Sequence, residues 1–176
     1  ALSSAASDVY KRQICNHTLA PKFLKNINTK IFVNEVKDGE MQNAGSIQLT
    51  FFDIFSDKTK QFGFKAVFPS GKVLACLGDE PFNEKCRNFV QNCDYLMCEA
   101  FCLYSQKDIF KPYEKFHSTA LDAGKLAESL FAKNLILYHT EDETLQTRKR
   151  TYTSEARTVF NGNIFVPDDF EVINLK

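Results

Sequence analysis

The sequence predicts an α/β fold in which sheet layers carry helices on their outside. Three observations carry this. Strand-like runs rich in Ile, Val, Phe and Thr recur along the chain, a helix-periodic stretch covers 118–131, and Asn134–Tyr138 (NLILY) is a continuous apolar run. Such a run is expected of a strand covered on both faces, and alternation of the two element types is what a layered α/β arrangement requires. The chain has 176 residues, which suits one domain with a buried core.

The first stretch, ALSSAASDVYKRQ, is small and polar without periodicity, and DVYKRQ resembles a translated transposon end. Residues 1–13 are therefore expected to be a non-native leader. Residues 30–36 and 46–54 read as an antiparallel strand pair with Asp38-Gly39 between them. Residues 62–68 and 72–77 repeat the pattern across Pro69-Ser70-Gly71. A short helix is expected over 83–91 and a short buried strand over 95–98. The 118–131 helix takes Ser118 or Thr119 as its cap, and Ala120, Ala123, Ala127 and Leu130 recur at spacings of three or four. A further helix over 145–160, broken near Thr151, precedes short strands at 164–166 and 171–175.

Acidic and basic side chains balance at 22 each, so binding to a polyanion would need a local basic site rather than net charge. The 17 Phe with no Trp speak for core. No run of about 18 apolar residues exists, so no membrane span is expected. The N-terminus lacks the apolar centre of a secretion signal. Cys15, Cys76, Cys86, Cys93, Cys98 and Cys102 form no C-x-x-C pair, and they read as reduced thiols rather than a zinc ribbon or a disulfide framework. A cytoplasmic protein is the expectation. Asn16-His17-Thr18 fits a glycosylation acceptor but carries little weight without a secretion signal.

Strand ends open onto clefts, so polar residues there are the places to look for chemistry. Asp79 follows a strand in KVLACLGDEP, Glu99 in DYLMCEAF and His139 in NLILYHTED, while His117 precedes the strongest helix in KFHSTALDAGKLAE. Singly, each has a structural reading: a turn aspartate, a paired glutamate, a helix-start histidine, a satisfied histidine at a strand end. Together, and in this order, GDEP, EAF, HSTALDAGKLAE and LILYH resemble the C-terminal half of ribonuclease Z-like metallo-β-lactamase proteins. His117 and His139 are 22 residues apart, which fits that family's helix-then-strand unit. The resemblance runs from about Phe51 to Asn174 and includes the closing GNIFVPDD.

The resemblance implies a metallo-β-lactamase-like β-sandwich with outer helices (αββα), residues 14–176 being the C-terminal part of this single domain with its N-terminal portion missing. It also implies two divalent metal ions, usually zinc, with Asp79 as the bridging carboxylate and His139 as the last histidine ligand. Paired ions would activate a water for attack on a phosphodiester or other ester. His117 matches the histidine that handles the leaving oxygen, as a proton donor. Glu99 matches a recurrent glutamate that orients a neighbour. Relatives are often dimers, which makes a homodimer a candidate assembly.

Departures from the pattern bear on the same site. The family's H-x-H-x-D-H stretch is absent, and isolated His17 cannot replace it. Where the family context reads FDIHS, this chain has FFDIFSDKTKQFGF, with Phe55 in place of a histidine. Either one metal site is weakened, or Asp57 supplies a ligand, or the register differs. Asp79 and His139 fall short of the three or four protein ligands of a stable zinc site, so the chain is expected not to hold a metal pair by itself. The competing reading is a non-catalytic scaffold that serves as a binding or structural domain. Phe55 favours it; the joint presence of Asp79, Glu99, His117 and His139 disfavours it.

Phe55 and Asp79 are only 24 residues apart, too few for the long arm by which ribonuclease Z grips transfer RNA. Arg148, Lys149 and Arg150 form the only dense basic group, read as a solvated helix face. Transfer RNA is therefore not expected as the substrate, and a smaller phosphodiester or other ester is. Thr140–Glu143 reads as the acidic start of the following helix.

Overall fold

The computed structural model describes residue 15, residues 19–27 and residues 29–175. The expected leader over 1–13 and the acceptor tripeptide with His17 lie outside the described residues. The chain divides into two compact units, Ala1–Val36 and Lys37–Lys176. In the first, helix α1 (Pro21–Leu24) starts on its proline, and the carbonyl of Asn26 accepts the amides of Lys30 and Ile31. The strand expected over 30–36 does not form; Ile31 makes only an isolated bridge with Ile27.

The second unit holds one seven-stranded sheet in sequence order: β1 (Met41–Ala44), β2 (Ile47–Asp53), β3 (Phe62–Val67), β4 (Val73–Cys76), β5 (Tyr95–Glu99), β6 (Asn134–Tyr138) and β7 (Asn163–Phe165). Pairing is antiparallel from β1 to β4 and parallel from β4 to β7. The partner of β2 is thus β1 rather than 30–36. The chain reverses at Gly45, whose φ of +62° suits a hairpin turn. Asp38-Gly39 turns one step earlier, leading into β1, with the Gly39 amide on the carbonyl of Phe51.

Parallel neighbours need crossovers, and helices supply them. Between β4 and β5 lie a 3₁₀ turn (Glu84–Cys86) and α2 (Arg87–Val90). Between β5 and β6 lie α3 (Lys107–Phe110) and α4 (Ala120–Ser129), and α5 (Arg148–Arg157) joins β6 to β7. The expected α/β architecture with outer helices is present, with one sheet among the described residues. Because β2, β4, β5, β6 and β7 run the same way, their C-terminal ends share one edge.

Thr119 caps α4 in a capping box with Asp122, which leaves Ser118 free for another role. The helix lays Ala120, Ala123 and Ala127 into the core beside Leu96, Leu135, Leu137, Tyr152 and Phe160. These small residues allow close approach: a Cβ on Gly124 would lie 2.9 Å from the Ala156 carbonyl of α5. Strand β6 is buried on both faces, Leu135 and Leu137 towards the helices and Ile136 in a second cluster with Leu74 and Tyr95. Each such side chain contributes roughly 1.5–3 kcal/mol on burial.

Two expectations about the C-terminal third are corrected. Helix α5 is continuous through Thr151, whose hydroxyl turns back to the Thr147 carbonyl at 3.1 Å instead of breaking the helix. Residues 171–175 form no strand; Ile173 and Leu175 pack against the second apolar cluster instead. At the N-terminal edge of the parallel strands, Asp94 joins three of them. Its carboxylate accepts the Val73 amide at 2.8 Å and the Lys133 ammonium at 2.9 Å, and its carbonyl accepts Asn134 Nδ2 at 2.7 Å.

Candidate functional site

The four candidate residues come to the opposite, C-terminal edge. Strand β4 ends at Cys76, and Leu77-Gly78 carries the chain to half-buried Asp79. Gly78 has φ +77°, a conformation that costs a side-chain-bearing residue. Its carbonyl accepts the hydroxyl of Tyr138, the last residue of β6, so the turn before Asp79 is fastened to the strand that delivers His139. His139 itself is exposed and adopts φ +55°, which ends β6 abruptly. A non-glycine residue held there stores strain of order 1–2 kcal/mol, a feature that clusters at functional sites.

Glu99 is the last residue of β5 and is 1 % exposed. Ser118, released from capping, holds it: the Ser118 amide donates to Glu99 Oε1 at 2.6 Å and the Ser118 hydroxyl at 2.5 Å. The other carboxylate oxygen, Oε2, has no hydrogen-bond partner and faces His117 Nδ1, itself without one, at 3.6 Å. Burial raises the Glu99 carboxyl to about 7, against the pull of the Ser118 bonds, and Asp79 adds to the rise. Burial lowers the His117 imidazole, helped by neighbouring His139 and Lys58, while the Asp79 backbone favours its protonated form. His117 and His139 have ring centroids 4.9 Å apart.

Thus His117 contacts or senses each of the other three, and the structure brings the candidates together. Asp79 and His139 are suitable metal donors in kind, but two fall short of a stable site. Among the described residues no three His, Cys, Asp or Glu side chains gather at metal-binding geometry. The donors present do not fit a metal pair by themselves. Phe55 does lie at this edge, just beyond β2, with φ +59°, but its ring is covered by Lys85 Nζ at 4.5 Å. Asp57 lines the same open groove as Phe55, together with Lys58 and Lys85. The cysteines are all free, and burial pushes the Cys86 thiol up to about 11 and the Cys93 and Cys102 thiols to about 12.

Sequence reasoning missed several neighbours. A cleft of about 720 Å³ opens beside His139, lined by Thr140, Asp142, Arg148, Asp168 and Phe170 among others. Arg148 is not on a solvated face: its side chain is 12 % exposed and its guanidinium donates to Thr140 Oγ1 and Asp168 Oδ1. Lys149 and Arg150 are exposed, as read for the cluster, and Lys149 pairs with Asp168 and Glu171. Glu141 is buried and accepts the amides of Glu143 and Thr144, capping a turn that precedes α5. Basic and aromatic side chains also interleave near the site: Lys58 lies over Phe116, Lys60 over Phe62, Lys85 over Phe55 and Lys115 over Phe101. These pairs mostly join separate segments, which is why no local stripe announces them.

Known proteins resemble this chain in sequence and in the fold of its sheet. No family model matches the chain. Ribonuclease Z of Bacillus cereus (strain AH187) is 32 % identical over 98 residues, covering 56 % of this chain and 31 % of that protein. The metallo-beta-lactamase fold protein YhfI from Bacillus subtilis superposes with a TM-score of 0.63 at 20 % identity, over 75 % of this chain and 51 % of that one. The chain has the metallo-β-lactamase fold and is similar to ribonuclease Z over 98 residues. Human tRNase Z, short form, superposes with a TM-score of 0.57 at 23 % identity, over 77 % of this chain and 46 % of its own length. The chain spans about a third of the length of the curated relatives it matches. The expectation against transfer RNA finds no support in these relatives. Among the described residues, no helix is long and apolar enough to cross a membrane.

Proposed function

We propose that this chain supplies the proton-donating side of a hydrolase acting on a phosphodiester or other ester. The observation that carries the reading is the buried Glu99–His117 pair set beside Asp79 and His139 at one sheet edge. Burial disfavours charge on both members of the pair, so a proton is retained between them near neutral pH. A leaving alkoxide needs such a proton, and His117, 12 % exposed, is the member that opens towards solvent. Glu99 holds the imidazole's inner side and Ser118 fixes Glu99. Asp79 and His139 would be the chain's share of a metal site whose remaining donors the described residues do not supply.

The test is turnover by the protein translated from the complete reading frame that holds this chain. Bis(p-nitrophenyl) phosphate and precursor transfer RNA are the two substrates, each assayed with and without added zinc. Metal-dependent cleavage of either, lost in His117→Ala, is the expected result; cleavage indifferent to His117→Ala and Asp79→Ala overturns the reading. A second reading, a scaffold without catalysis, is favoured by Phe55 with Lys85 over its ring at the place where the resemblance calls for a histidine. Absence of turnover on both substrates, with folded protein and ligand binding intact, would support that scaffold.

A further inference from the structure

Neither Glu99 Oε2 nor His117 Nδ1 has a hydrogen-bond partner, so no hydrogen bond at Nδ1 sets the orientation of this imidazole. The Asp79 backbone engages the imidazole, but a single contact leaves the tilt of the ring open, and productive transfer needs one orientation. His139 lies tilted at 4.9 Å from the ring, and Phe101 is the ring stacked on its face. The two rings stack with centroids 5.0 Å apart and an interplanar angle of 22°. Phe101 also flanks His139, at 6.4 Å and 39°. One phenyl ring therefore borders both histidines of the site.

Phe101 is itself tied down on several sides. Its amide donates to the Ser118 carbonyl at 2.9 Å, and its carbonyl accepts the Glu141 amide at 2.8 Å and the Tyr152 hydroxyl at 3.0 Å. Tyr152 is fully buried, and Glu141 nearly so. Phe110 meets the Phe101 ring edge-on at 6.3 Å, and Lys115 Nζ lies 5.2 Å from its centroid. The ring is thus held by its backbone anchors, by an aromatic edge and by a cation. Stacked aromatic pairs attract beyond their buried area, so a fixed ring confers its orientation on its neighbour.

We propose that Phe101 is a positioning residue that sets the imidazole plane of His117 by stacking, in the role a hydrogen bond at Nδ1 would otherwise play. The role in turnover rests on the proposed hydrolase reading; the role in ring orientation does not. Glu141 and Tyr152 act through Phe101, since both hold its carbonyl rather than the histidine.

The experiment has two arms, so that the two readings fail separately. In the first, the 176-residue chain is labelled at histidine and the His117 ring signals are followed by NMR in wild type, Phe101→Tyr and Phe101→Leu. Wild type and Phe101→Tyr should show ring-current-shifted, sharp His117 signals, and Phe101→Leu should return them towards free histidine. Unshifted His117 signals in wild type, or unchanged signals in Phe101→Leu, overturn the proposal. If Phe101→Leu does not fold, the wild-type shift and its retention in Phe101→Tyr still decide. In the second arm, on the protein translated from the complete reading frame, kcat should fall roughly 10–100-fold in Phe101→Leu with KM within about twofold, and recover in Phe101→Tyr. An equal kcat in Phe101→Leu overturns the catalytic consequence. Lack of turnover in wild type removes the hydrolase reading and leaves the first arm standing.

Discussion

Glu99 Oε2 and His117 Nδ1 face each other across 3.6 Å in a buried setting, each without a hydrogen-bond partner. That separation is longer than a hydrogen bond, so the pair is poised rather than closed. Ser118 engages only the other oxygen, Oε1, and so leaves Oε2 presented to the histidine.

If the pair delivers a proton to a leaving group, His117→Ala should lower kcat by about 10²–10⁴-fold, the span of general acid catalysis. Glu99→Gln keeps the shape but not the proton reservoir, and should lower kcat by roughly tenfold or more. A substrate with a better leaving group should narrow both losses. Equal losses on a nitrophenyl and an alkyl ester would deny His117 the proton-donor role.

Glu99 also makes stability depend on pH. Its folded value is raised from 4.5 to about 7, so between those values the folded chain binds more protons than the unfolded one. Stability should therefore fall as pH rises through that window, by at most about 3 kcal/mol. The lowered His117 value acts in the opposite sense, so the comparison is with Glu99→Gln, which keeps His117. Urea midpoints at pH 5 and pH 8 measure it: wild type should lose stability relative to Glu99→Gln, and parallel behaviour would deny the burial effect.

The carboxylate at the other sheet edge behaves oppositely. The Lys133 ammonium, and with it the Val73 amide, holds Asp94 below the usual aspartate range. Its contribution is present above the ordinary value of 3.8 and is lost as pH falls through the lower folded value. Asp94→Ala should cost about 2–3 kcal/mol, since it leaves the Val73 amide without its carboxylate partner. Thermal or urea unfolding reads this directly, and turnover per folded molecule should not change.

Zinc titration of the isolated chain tests the donor count. Asp79 and His139 alone should give binding no tighter than about micromolar, with little difference in Asp79→Ala. Tighter binding that Asp79→Ala abolishes would mean that further donors complete the site.

The sequence by itself determined the element types wherever the pattern was local. The NLILY run became β6 with the bounds read for it, and the three-or-four spacing of Ala120, Ala123 and Ala127 became the buried face of α4. It also determined the order of the four candidate residues, since each lies at or just beyond a strand end or just before a helix. Hairpin pairing was not legible, because two glycine turns, at Gly39 and Gly45, compete within a few residues and only sheet register chooses between them. Nor were Phe101, Arg148 and the lysine–phenylalanine pairs: their roles depend on neighbours brought together from distant parts of the chain. A stacked ring or a buried guanidinium has no signature within its own segment. Tertiary structure decides such contacts, because burial and partner geometry are properties of the folded neighbourhood rather than of the residue.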